Sequence, residues 1–272
     1  MNAVSAAVDG GTAVGRAAAI DRSRPADLAA VNLRKSFAAQ AAVLDGVSFE
    51  IFQGESVALI GANGAGKSTL LRCCVGLSPL DSGTARLFGR DLPALQARDL
   101  RALRAQVGFV FQQHNLVPRL SVLSNVLHGS LSRTGSRGWF HQVAPPAERA
   151  KALHCLDLVG LVSLASRRAD RLSGGQSQRV AIARALMQEP RIVIADEPVA
   201  SLDPRAAEEV MALFARLMEK VRLTFVFTSH NLQHAVRYAD RLLALRRGTL
   251  QLDAPAKSQN LATLRELYES PN

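Results

Sequence analysis

Short apolar runs recur along the chain, and helical spacing fills the stretches between them. Val57–Ile60, Val107–Phe111, Ile192–Ala195, Leu223–Thr228 and Leu242–Leu245 are almost free of polar interruption, which predicts strands buried on both faces of a parallel sheet. Ala29–Leu33, Val47–Ile51 and Gly83–Gly89 are earlier strand segments; Val47–Ile51 alternates as a half-exposed strand does. Helices are expected over Leu70–Val75, Leu95–Arg104 and Arg205–Lys220, from Leu232 onward, and toward Leu267 and Tyr268. Strands alternating with helices predict an α/β fold.

From His114 to Arg171 the strand signals vanish. Helical periodicity replaces them in Val122–Leu127 and in Ala147–Leu158, the latter entered by Pro145 and Pro146. Between these lies a polar loop, Arg133–Pro145, which carries Trp139 and Phe140; Trp139 reads as a local packing anchor. The segment of about 114–180 is expected to be a helical insertion into the α/β domain. Residues 1–27 lack periodicity and read as a flexible extension, with the folded domain running over 28–272.

Chemistry concentrates where apolar runs end. After Ile60 comes Gly61-Ala62-Asn63-Gly64-Ala65-Gly66-Lys67-Ser68-Thr69. Glycine lets this loop curl its N–H groups inward, and the helix behind it points a positive end at whatever is enclosed. Lys67 adds charge for phosphate oxygens and Ser68 a hydroxyl for Mg²⁺. Gln112 follows the strand at Val107, at the sheet edge where α/β proteins bind ligands. Asp196 and Glu197 end the strand at Ile192, one suited to Mg²⁺ and the other to deprotonating a water. His230 ends the strand at Leu223, level with Gln112 and Glu197. A second glycine-rich loop, Leu172-Ser173-Gly174-Gly175-Gln176, precedes a helix expected over Ser177–Met187. It reads either as another anion cradle or as a Schellman-like turn. Phe37 precedes the first cradle and suits either the core or stacking on a purine ring.

Composition narrows the partners. The chain has 272 residues, 48% of them hydrophobic, and a formal net charge of +10, which suits an anionic partner. No apolar run reaches the roughly 20 residues needed to span a bilayer, and no secretory h-region is evident, so a cytoplasmic protein is expected. Cys73, Cys74 and Cys155 have no zinc spacing and are expected to be buried and reduced.

Taken in order, these motifs resemble one family, the ATP-binding-cassette ATPases, from Leu28 to the C-terminus. Gly61–Thr69 resembles its Walker A, Gln112 its Q-loop residue and Leu172–Gln176 its LSGGQ signature. Ile192–Glu197 resembles Walker B, Ser201–Asp203 the D-loop, His230 the switch histidine, and Phe37 the adenine-stacking aromatic. The resemblance implies a P-loop NTPase (RecA-like) core with an antiparallel β subdomain and an inserted helical subdomain. It implies ATP and Mg²⁺ as cofactors. ATP would lie on Phe37, Gly61, Asn63, Gly64, Gly66, Lys67, Ser68 and Thr69, with Ser68, Gln112 and Asp196 arranging Mg²⁺. Glu197, His230 and Gln112 would carry the chemistry. Ser173, Gly174, Gly175, Gln176 and Asp203 would complete the pocket of a second copy in a head-to-tail homodimer. Residues 115–127, the Trp139–Phe140 loop and 195–204 look most like phosphonate importers. That likeness implies permease subunits docking near Gln112 and the helical segment, a periplasmic binding protein acting indirectly, and residence on the cytoplasmic face of the inner membrane. A different cargo (phosphate, an amino acid or a lipid-like molecule) stays open. A cassette acting on nucleic acid is disfavoured, because neither a second cassette nor a long coiled-coil insertion is present.

Overall fold

The computed structural model describes residues 25–37, 42–135, 141–221 and 223–269; Trp139, Phe140 and residues 1–24 lie outside these. Among the described residues, ten strands form two sheets: β1 (Leu28–Lys35), β2 (Leu44–Ile51), β3 (Ser56–Ile60), β4 (Ser82–Leu87), β5 (Arg90–Asp91), β6 (Val107–Val110), β7 (Ile192–Ala195), β8 (Thr224–Ser229), β9 (Arg241–Arg246) and β10 (Thr249–Pro255). The helices are α1 (Lys67–Cys74), α2 (Ala97–Arg104), α3 (Val122–Leu127), α4 (Leu131–Thr134), α5 (Pro146–Leu158), α6 (Gly174–Leu186), α7 (Pro204–Val221), α8 (Leu232–Tyr238) and α9 (Leu261–Glu269).

One sheet, in the order β2-β1-β4-β5, is antiparallel throughout. The other runs β10-β9-β3-β8-β7-β6, parallel from β9 to β6 and closed at one edge by the antiparallel β10. The period of two divides its apolar residues between two cores. Ala58, Ile60, Val193, Ala195, Phe225 and Phe227 face the helical side. Val57, Leu59, Ile192, Ile194 and Val226 face the antiparallel sheet and α1. Both faces are covered, which explains the uninterrupted apolar runs. Phe225 stacks between Phe214 of α7 and Phe227, with centroids 4.7 and 5.0 Å away, so α7 is pinned to the strands by aromatic area.

Between β6 and β7 the described chain is helical, and α3, α5 and α6 pack on one another. Buried Asn125 of α3 holds the preceding segment, accepting from Val117 N and donating to Val117 O. Asp27, placed by the sequence reading in the extension, is instead 1% exposed. Its carboxylate accepts from Thr224 Oγ1 of β8 and pairs with Arg191, so Asp27 is packed into the domain ahead of β1. The helix expected from Ser177 begins at Gly174, because Ser173 and Gln176 form a reciprocal capping box that starts it earlier.

Candidate functional site

Every residue of β3 is buried, and the chain leaves it through Gly61 at φ +152°. A Cβ at Gly61 would lie 2.2 Å from Leu245 O, and one at Gly66, where φ is +100°, would lie 2.6 Å from Val43 O. Only glycine fits these two positions. Gly66 also serves as N-cap of α1 without a side-chain hydrogen bond, so no side chain competes for the first-turn N–H groups. Asn63 and Gly64 are exposed at the loop tip, and Thr69 is half-buried.

Lys67 is 5% exposed. Its Nζ donates to Gly61 O at 2.8 Å and Ala62 O at 3.1 Å, and lies 3.9 Å from Glu197 Oε1. Burial lowers its pKa, opposed by the carboxylates of Glu197 and Asp196. A cation in this position gains from an arriving polyanion.

The neighbouring strands deliver the rest to one edge. The parallel strands β3, β8, β7 and β6 lie side by side, so the segments after their C-terminal ends share a rim. That rim carries the glycine loop, Ser229 and His230, Asp196 and Glu197, and Gln112. Ser68 Oγ donates to Asp196 Oδ1 at 2.9 Å, and Thr228 Oγ1 donates to the same oxygen at 3.0 Å. Glu197 N in turn donates to Thr228 Oγ1 at 2.6 Å, and Glu197 sits at φ +48°. Lys67, Ser68, Asp196 and Glu197 are thus brought together. Gln112 and His230 reach the rim as exposed side chains. His230 is held in a turn in which Ser229 Oγ donates to Asn231 O and accepts from Asn231 N, while Asn231 Oδ1 caps α8.

Ser173, Gly174, Gly175 and Gln176 lie elsewhere. They line a cleft of about 600 Å³ with Ser201, Leu202 and Asp203, and no glycine-loop residue borders it. Asp203 caps α7 there, accepting from Arg205 N at 3.1 Å and Ala206 N at 3.0 Å. Phe37 is 45% exposed, with the Lys35 ammonium 5.2 Å from its ring centre, so it is not a core residue.

Three anchoring residues escaped the sequence reading. Thr228 sits inside a buried strand and carries no motif. Arg184 of α6 donates to His114 O and Asn115 O, tying the segment after Gln112 to the helix that begins at the second glycine loop. Asp27 is the third. A pattern signal was available only for Thr228, whose alternation with Phe227 turns it from the helical core.

A glycine loop on an uncapped helix, flanked by a strand-end carboxylate pair, defines a P-loop nucleotide-binding fold. The ABC transporter family model matches residues 44–200, and the chain belongs to that family. It is 48% identical over 226 residues to a phosphate-import ATP-binding protein PhnC of Mycolicibacterium smegmatis, covering 83% of this chain and 86% of the relative. It is 47% identical to a phosphonates import ATP-binding protein PhnC of Nocardia farcinica, covering 83% and 84%. Among solved structures, a dimeric post-hydrolysis state of the ATP-binding cassette MJ0796 with ADP and Pi aligns at a TM-score of 0.74 and 31% identity, over 85% of this chain and 99% of that one.

Proposed function

We propose that this chain is the ATP-hydrolysing subunit of an importer, that it works as a homodimer, and that its cargo is a phosphonate. The observation that carries the ATPase reading is the hydrogen-bonded set of Ser68, Asp196, Thr228 and Glu197 at the mouth of the uncapped α1. In this reading the first-turn amides of α1 receive the β-phosphate, and Lys67 exchanges the carbonyls of Gly61 and Ala62 for γ-phosphate oxygens. Phe37 stacks on the adenine. Glu197 takes the proton of the attacking water while His230 and Gln112 orient it and the γ-phosphate. Ser68, Gln112 and Asp196 fit Mg²⁺, which favours a few hard oxygens completed by phosphate and water. Bound there, the ion would neutralise charge developing on the transferring phosphoryl group.

The separation of the two glycine loops supports the dimer: the Ser173–Gln176 loop has a cleft of its own and would meet the nucleotide of the other copy. Asp203 would support that junction from the start of α7. Permease subunits would dock beside Gln112 and the helical segment of about 114–180, keeping the chain on the cytoplasmic face of the inner membrane. A periplasmic binding protein would act at one remove. No described helix is long and apolar enough to cross a membrane. Phosphate is the second cargo reading, favoured by the name of the M. smegmatis relative. The test is ATP-dependent uptake into vesicles holding this chain, its permease and its binding protein. Alkylphosphonate uptake supports the proposal, phosphate uptake alone transfers it to the second reading, and no ATP turnover overturns both.

A further inference from the structure

We propose that Thr228 is a positioning residue for ATP hydrolysis, holding the backbone of Glu197 and the carboxylate of Asp196 in their working geometry and tying both to the strand that carries His230. The inference rests on the ATPase reading above.

The argument begins with strain. Glu197 adopts φ +48°, a left-handed conformation that a residue with a Cβ avoids unless its surroundings impose it. Its amide is fixed by one contact from a neighbouring strand, the 2.6 Å hydrogen bond to Thr228 Oγ1. Thr228 is 0% exposed, so water cannot replace that hydroxyl. The hydroxyl works in both directions: while accepting from Glu197 it donates its own proton to Asp196 Oδ1 at 3.0 Å. That oxygen also accepts from Ser68 Oγ at 2.9 Å. One buried hydroxyl therefore fixes the residue proposed to take the proton of water and the residue proposed to face the metal ion. The β-branched side chain has restricted χ1 freedom, which makes it a stiff support. Two residues further on, β8 gives way to His230, so a movement of the histidine turn is passed to Glu197 through the Thr228 backbone. Valine keeps the shape and β-branching and removes only the hydroxyl; serine keeps the hydroxyl.

The experiment compares wild type, Thr228→Val and Thr228→Ser for steady-state ATP turnover and for amide hydrogen exchange at Glu197. Thr228→Val is expected to lower kcat by about 100-fold, the scale of a small misplacement of a reacting group, with KM for Mg-ATP within about twofold. Its Glu197 amide should exchange at least about tenfold faster, and Thr228→Ser should restore both toward wild type. Unchanged kcat or unchanged exchange in Thr228→Val overturns the inference, as does Thr228→Ser behaving like the valine variant. Should valine prevent folding, the serine variant decides alone, since it must retain both turnover and slow exchange. A wild-type chain without turnover overturns the ATPase reading and any role of Thr228 in turnover, whereas normal wild-type turnover with an unaffected valine variant overturns only the inference.

Discussion

Ser68 Oγ and Asp196 Oδ1, 128 residues apart in sequence, meet in a 2.9 Å hydrogen bond where α1 begins and β7 ends. The pair brings a hydroxyl and a carboxylate to one point beside the glycine loop. Oxygen donors in that number suit a cation that is also held by phosphate. The placement joins the end of the glycine loop and the strand-end carboxylate of β7 in one hydrogen-bonded unit.

Glu197→Gln keeps the shape of the side chain and removes its basicity. Turnover should fall by at least about 100-fold, the usual range for loss of a general base, with nucleotide binding retained. Size-exclusion chromatography in Mg-ATP should then show a dimer that wild type forms only transiently.

Phe37 is exposed, with the Lys35 ammonium over its ring. Loss of base stacking in Phe37→Ala should weaken ATP binding by about tenfold or more. Titration with a fluorescent ATP analogue measures this, and melting temperature should be unchanged because the ring is not in the core.

Gly129, after α3, is packed against α6: a Cβ there would lie 2.3 Å from Arg184 O and 2.8 Å from Met187 Cβ. Gly129→Ala should cost about 1–3 kcal/mol as an overpacking change. Urea denaturation checks it, and a variant as stable as wild type would show that the two helices separate freely.

His234 of α8 has a pKa lowered first by burial and then by Arg237 and His230, with Glu208 opposing. The ring also faces Tyr238 edge-on, and its Nδ1 is buried without a partner. A folded-state pKa below the ordinary 6.5 means the unfolded chain binds more protons, so stability is present above that value and lost as pH falls through it. His114, lowered by burial and by Arg184, adds in the same direction. Melting temperature should drop as pH falls below the ordinary 6.5, and less so in His234→Gln.

Much of this was legible in the sequence because the signals are local. The glycine loop, the apolar run before it and the helix after it are contiguous, and β7 with its two carboxylates is equally self-contained. The capping box at Ser173 was legible in principle, since Ser and Gln stand three apart, but the glycines between them resembled a turn. Thr228 and Asp27 were hidden for another reason. Their partners, Glu197 and Thr224, are 31 and 197 residues away, and only the strand order β8-β7 and the packing of Asp27 on β8 create the contacts. Arg184 is similar: its guanidinium binds backbone carbonyls, which leave no trace in sequence.

The central claim is that each nucleotide lies between the Lys67 loop of one copy and the Ser173–Gln176 loop of the other, and subunit mixing tests it most directly. Lys67→Ala damages the first loop. Gly175→Asp places a negative charge in the second at a position where a Cβ meets only Ala206 Cβ at 3.4 Å. Each variant alone should be inactive. Mixed, they should regain ATP turnover, because a heterodimer would gather both lesions in one pocket and leave the other intact. A mixture as inactive as its parents, with heterodimers verified to form, would place both loops around the same chain's nucleotide and contradict the account.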